Sequence, residues 1–159
     1  MTKIFQERMT AGMEGEFVVF LIGMRINKPL KVHKWLPVTL AMPKMLKELY
    51  SNPKIGFIHQ ESWFGRTSIM LQYWKSFEHL EKYAKNKDSS HFPEWSKFNK
   101  NIGSNGDVGI WHETYLSKPG QYECVYNNMP RFGLGRVGQH IPATGKYSSA
   151  HNRVYKNNT

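Results

Sequence analysis

The sequence predicts an α+β fold of the ferredoxin-like type, a βαββαβ layer with extra helices and a fifth strand. Three observations carry this expectation. Residues 17–26 (FVVFLIGMRI) form an apolar run rich in β-branched and aromatic types. Residues 55–74 hold two strand-like stretches around Trp63-Phe64-Gly65. Stretches at helical spacing stand on both sides of that pair. Strand, helix, hairpin, helix and returning strand, in this order, make the split βαβ arrangement with helices over one sheet face.

Each element has its own local cause. Residues 1–15 read as a flexible N-terminal arm, with Gly12 and Gly15 near its end. The first half of 17–26 is apolar at every position, as suits a central strand buried on both faces, and Asn27 and Pro29 end it. Over 35–50, Val38, Met42, Met45, Leu46 and Leu49 fall on one helical stripe. Pro37 suits a first turn. Pro43 lacks an N–H and crowds the turn before it, so a break is expected there, with a second helix starting at it. Strands at 55–62 and 66–74 are joined by a hairpin at Trp63-Phe64-Gly65. Ser76 is a suitable N-cap for a helix from Phe77, whose inner face is Phe77, Leu80 and Ala84 with Tyr83 beside them. Asp88-Ser89-Ser90 opens a further helix in which His91, Trp95 and Phe98 share a stripe. A fourth strand at 108–116 and a fifth at 121–126 follow, separated by Lys118-Pro119-Gly120. The organisation expected is an arm at 1–15, a ferredoxin-like domain at 16–129 and an irregular C-terminal extension at 130–159. Helices on one face leave the other face to be buried, and for 159 residues a second copy does this most simply, which predicts a homodimer.

Composition excludes several classes. Five Trp, eight Tyr and nine Phe are too many for a disordered chain. A single cysteine, Cys124, excludes a disulfide scaffold and a multi-thiolate zinc site. No run approaches 18 apolar residues, and the opening residues are polar, so neither a spanning helix nor a secretory signal is expected and the location read is cytoplasmic. A net charge of +10 favours anionic partners in general. No block of five Lys/Arg, aromatic RNP pattern or helix-turn-helix signature occurs, so no specific nucleic acid is expected.

The chemistry rests on aromatics that coincide with a few polar groups. Trp63, Arg66, Tyr73, Trp74, His91, Trp95, Trp111 and His112 fall on the hairpin, strands and helix expected to enclose one space. A mostly apolar pocket with few polar fixtures is the usual form of a small-molecule site; ordinary core packing is the competing account of any one of these rings. Of seven histidines, none forms H-x-x-x-H or H-E-x-x-H, and His59 with Glu61 on one strand face is too little for zinc or non-haem iron, so no metal site is expected. A haem needs one axial histidine and an apolar pocket, which spacing does not test. Gly133-Leu134-Gly135-Arg136-Val137-Gly138 matches G-x-G-x-x-G but lacks the strand before it and the helix after it that dinucleotide binding requires. An oxygenase here would hold a cofactor without a local motif or use none, and then the substrate must itself supply a stabilised carbanion after proton removal by a base.

Phe20–Leu49, Glu61–Thr67, Gln72–Leu80, Gly106–Tyr115 and Tyr122–Pro130 together resemble the monooxygenase-like family of bacterial and fungal proteins, whose relatives include a fungal polyketide-cleaving monooxygenase. That family is similar in turn to the dimeric α/β-barrel superfamily of antibiotic-biosynthesis monooxygenases, haem-degrading monooxygenases and haem-dependent aldoxime dehydratases. The resemblance implies a dimeric α/β barrel and, in the helix after the third strand, a pocket histidine, for which His91 is the nearest match.

Three functions follow as expectations. The first is a monooxygenase acting on a small apolar, aromatic or polyketide-like substrate, with His91 as base, Arg66 or Tyr73 orienting a polar substituent, and Trp63, Trp74, Trp95 and Trp111 as walls. The second is a haem b protein with His91, His59 or His112 as axial ligand. The third is a non-catalytic module that binds a small molecule or an anionic membrane surface through residues 28–50, where lysines mingle with Trp35, Leu36 and several Met.

Overall fold

The computed structural model describes residues 2–86 and 105–155. Along them run β1 (Met9–Gly12), β2 (Phe17–Ile26), α1 (Val32–Ser51), a 3₁₀ turn (Pro53–Ile55), β3 (Phe57–Trp63), β4 (Ile69–Trp74), α2 (Phe77–Lys85), β5 (Val108–Ser117), α3 (Leu134–Val137), β6 (Gln139–Pro142), a second 3₁₀ turn (Gly145–Tyr147) and α4 (Ala150–Tyr155). Four strands form one sheet in the order β3-β4-β2-β5, and β1 pairs with β6 in a separate two-stranded ladder. The long strand β2 therefore lies inside the sheet, with the β3–β4 hairpin on one side and the returning strand β5 on the other. This is the ferredoxin-like α+β arrangement. The chain divides into two compact units, Phe20–Thr114 and Met1–Val19 with Tyr115–Thr159, whose boundaries fall within β2 and β5.

In the unit Phe20–Thr114, the hairpin pairs Gln60 with Gln72, Ser62 with Met70 and Trp63 with Ile69, after an irregularity between Phe57 and His59. Trp63 thus ends β3, and the connection runs over 64–68 rather than 63–65. Ser76 caps α2 by accepting the His79 backbone N–H, as its hydroxyl predicts. Gly56 ends the first 3₁₀ turn at φ 84°, and a Cβ there would strike the His79 ring. Asp107, buried at the start of β5, accepts from Lys28 at 3.0 Å and Lys31 at 2.8 Å, while its carbonyl accepts the Asn27 and Lys28 backbone N–H groups. The two lysines hold its carboxyl below the usual carboxylate range. This clamp fixes the approach to α1. Met24 and Val108 centre a core packed by Ile26, Trp35, Val38 and Ile110.

The expected break at Pro43 is absent: α1 is one helix over 20 residues, with Pro37 and Pro43 inside it. Pro43 lies on the exposed side of α1, where the carbonyl that loses its partner can turn to water. On the other side, Val38, Met42, Met45 and Leu49 pack inward on both sides of the proline, and that continuous stripe keeps the two halves in line.

In the unit of Met1–Val19 with Tyr115–Thr159, residues 9–12 are not loose. They form β1, pair with β6 and bury Thr10 and Ala11. Residues 121–126, expected as a fifth strand, make only an isolated bridge between Tyr126 and Met9. Side chains do the rest of the anchoring. Tyr122 Oη accepts the Met13 N–H at 2.7 Å, Thr10 Oγ1 donates to the Cys124 carbonyl at 2.8 Å, and Cys124 Sγ lies 3.3 Å from the Ala11 carbonyl. Residues beyond 130 are also built: Arg153, on α4, is buried, pairs with Glu123, and donates to the Tyr147 and Ser148 carbonyls at 2.9 Å each.

Candidate functional site

The unit Phe20–Thr114 encloses a cavity of about 560 Å³, within the roughly 300–1,000 Å³ common for small-molecule sites. The period of two in each strand decides what faces it. From β2 come Phe20, Ile22 and Met24; from β4, Met70, Gln72 and Trp74; from β5, Ile110, His112 and Thr114; and from β3, Ser62. The period of 3.6 decides the helices. α1 supplies Val38, Met42, Met45 and Leu49, and α2 supplies Leu80, Tyr83 and Ala84. The wall is apolar and rich in thioethers, which fill irregular space and adapt to what binds.

Polar groups are few and placed. Trp74 is fully buried, and its Nε1 donates to Gln72 Oε1 at 2.9 Å. This satisfies the indole and fixes the amide, whose nitrogen lies 3.0 Å from the Met70 sulfur. A thioether is a weak acceptor, so Gln72 retains donor capacity at the cavity wall. The Tyr83 hydroxyl donates to Glu48 Oε2 at 3.4 Å. Burial, followed by the Glu48 charge, pushes the Tyr83 phenol up, so it stays protonated at neutral pH. His112 stands on β5 with its ring 5.7 Å from that of Phe20, and His33 reaches the lining from the first turn of α1. These two are the histidines at the cavity among the described residues.

The expected site residues distribute unevenly. Trp74 and His112 line the cavity. Tyr73 and Trp111 follow the opposite parity and lie on the other sheet face; Tyr73 is buried there, and the Trp111 Nε1 is buried with no hydrogen-bond partner among the described residues. Trp63 ends β3 half-exposed and lies outside the lining. Arg66 is spent on the backbone, donating to the Ile26 carbonyl at 3.2 Å and to the Asn27 carbonyl at 3.4 Å. His59 is also on the other face, with Nδ1 3.1 Å from the Tyr50 hydroxyl and Nε2 3.4 Å from Glu61. His91 and Trp95 lie outside the described residues. Among the described residues no group of three His, Cys, Asp or Glu is placed to hold a metal ion, and no helix is long and apolar enough to cross a membrane.

Sequence reasoning placed Met42, Met45 and Tyr83 on or beside inward helix faces without giving them a part in the site, and it missed Gln72. A signal for Gln72 was there: an amide two residues before Trp74 in an apolar strand shares the tryptophan's face.

Comparison with known proteins supplies the context. A family model described as monooxygenase af470-like matches residues 17–134. Monooxygenase af470 of Aspergillus fumigatus is 30% identical over 134 residues, which cover 77% of this chain and 46% of that protein. Two solved structures share the fold at 16% identity: an aldoxime dehydratase, with a TM-score of 0.61 over 93% of this chain and 43% of that one, and an aldoxime dehydratase in complex with butyraldoxime, with a TM-score of 0.59 over 93% and 42%. The chain thus spans about half the length, or slightly less, of the relatives it matches.

Proposed function

We propose, from the premise that this chain belongs to the monooxygenase af470-like family, that it is a monooxygenase for a small apolar, aromatic or polyketide-like molecule held between sheet and helices. The observation that carries this is the largely apolar set of thioether, aliphatic and ring surfaces around a partly open space of about 560 Å³, with Gln72 and His112 among its polar groups. The Gln72 amide would donate to a carbonyl or phenolate oxygen of the substrate. His112 would take the proton from an acidic C–H or O–H next to it, leaving an electron-rich carbanion or phenolate for reaction with oxygen. The protonated Tyr83 and the buried Trp74 belong to the same wall. His91, expected as base from sequence, is the alternative proton acceptor, and the paired variants below decide between them. The test is oxygen uptake with quinol-like substrates. His112→Ala should lower turnover by about 10²–10⁴-fold, and Gln72→Leu should raise KM more than it lowers kcat. If His112→Ala leaves uptake intact while His91→Ala abolishes it, the base is His91.

A haem b reading rests on the two histidines at the cavity among the described residues: His112 or His33 would hold the iron, and bound haem would supply oxygen and one-electron chemistry. A Soret band on titration with haem, lost in one His→Ala variant, would support it; a titration without that band removes it. In either case we propose that the other sheet face, with Leu71 and Trp111, meets a second copy. Light scattering should then read twice 18.6 kDa, and a mass of 18.6 kDa would overturn the dimer.

A further inference from the structure

Helix α1 is apolar on two opposite sides, and the cavity uses one of them. Val38, Met42, Met45 and Leu49 face inward. Half a turn away, Leu36, Leu40 and Pro43 lead along the axis to Lys44 and Lys47, all exposed and none of them part of the cavity wall. Leu40 is 66% exposed, and just before the helix Leu30 is 97% exposed and Val32, in its first turn, 45%. A helix with one buried face ordinarily shows a polar face to water, so this outer stripe is fitted to a second apolar medium.

Charge selects the medium. Lys28 and Lys31 are taken up by Asp107. Lys44 and Lys47 have no carboxylate partner among the described residues, and the one acidic residue of α1, Glu48, is engaged with Tyr83. A second copy of a chain carrying +10 would bring the same cations against these. An anionic lipid surface offers what the stripe lacks: acyl chains for Leu30, Leu36 and Leu40, and headgroup charge for the lysines at one end. We propose that the outer face of α1 docks this protein on the surface of an anionic bilayer, lying in the interface without spanning it. The proposal is independent of the oxygenase reading, since binding is measured without turnover.

The experiment is co-sedimentation of the full chain with vesicles of phosphatidylcholine and phosphatidylserine mixed at about 3:1, and with phosphatidylcholine alone. Binding should be strong on the anionic vesicles at low salt, weaker at high salt, and much weaker on the neutral ones. Lys44→Glu with Lys47→Glu should lower partitioning by at least about fivefold for each charge removed, and Leu36→Asp with Leu40→Asp should abolish it, with circular dichroism unchanged. The charge-matched control is Lys82→Glu with Lys85→Glu on α2, which should retain most of the binding. No binding of the wild type at low salt overturns the proposal. So does an equal loss in the α2 control, which would assign the attraction to net charge. A wild-type dimer that the Leu36→Asp/Leu40→Asp variant converts to monomer, without any vesicle binding, would assign the stripe to a second copy and overturn it as well.

Discussion

The two units of this molecule differ in what their interiors hold, although both contain long-range polar bonds. Phe20–Thr114 is organised around a space: its inner surfaces are apolar, and few of its polar groups meet each other across that space. The unit of Met1–Val19 with Tyr115–Thr159 is organised around polar bonds that join distant segments, Arg153 to Glu123, Thr10 to Cys124 and Met13 to Tyr122. The contrast teaches that hollowness is tolerated where adaptable side chains line the space, and that a short two-stranded ladder has to be stapled from outside its own backbone.

Perturbing each unit separately should break or sharpen the contrast. The largest effect is expected in the stapled unit. Arg153→Ala removes the buried partner of Glu123 and the donor to two carbonyls, and should cost about 3 kcal/mol in urea unfolding; a loss under about 1 kcal/mol would show that the staples are redundant. In the hollow unit the sensitive point is the sheet rather than the cavity. A Cβ at Gly23 would collide with the Ser68 carbonyl oxygen and lie 2.8 Å from Trp111 Nε1. Gly23→Ala should therefore cost about 2 kcal/mol, read by the same titration. Met45→Ala should cost only about 1 kcal/mol, below the roughly 2–5 expected in a filled core, because one side of Met45 already faces open space; a cost of core size would mean that the cavity closes on itself in solution.

The smallest effect is a pH slope from the stapled unit. His140 has both ring nitrogens buried without a hydrogen-bond partner among the described residues, against Phe5 at 4.8 Å and Tyr126 at 6.0 Å. Burial, then the Arg131 charge, push its imidazole below the ordinary histidine range. The unfolded chain therefore takes up the proton first as pH falls below about 6.5. Stability from this group is whole above that pH and is lost as pH falls toward the folded value. The urea midpoint of the wild type should fall through this window, and His140→Leu should flatten that part of the slope.

The same contrast explains what the sequence could tell. Strand β2 was legible as a continuous apolar run, the hairpin as two strand-like stretches around a glycine turn, and the Ser76 cap from a hydroxyl placed just before a helical stripe. Trp74 and His112 were reachable as cavity residues by parity. Tyr73 and Trp111 look identical in composition, and only the register of β4 and β5 sends them to the other face. Arg66 was expected at a ligand because guanidinium suits one; the neighbouring carbonyls of Ile26 and Asn27 claim it instead, and no periodicity records that. The ladder of β1 and β6 was illegible because its partners stand more than 120 residues apart and its side-chain anchors are Thr10 and Tyr122, residue types that read as surface. Pro43 misled for a related reason: a backbone rule was applied without knowing which side of α1 faced water.

Met24, Met42, Met45 and Met70 all border the cavity. If the proposed oxygen chemistry takes place in this chamber, these sulfurs are oxidisable atoms on its wall, and each sulfoxide formed would turn a greasy wall polar. The chamber would thus record its own misfires: peptide mass mapping of protein spent in turnover should find added oxygen on these four methionines before Met9 or Met129, and an enzyme so marked should bind its apolar substrate progressively less well.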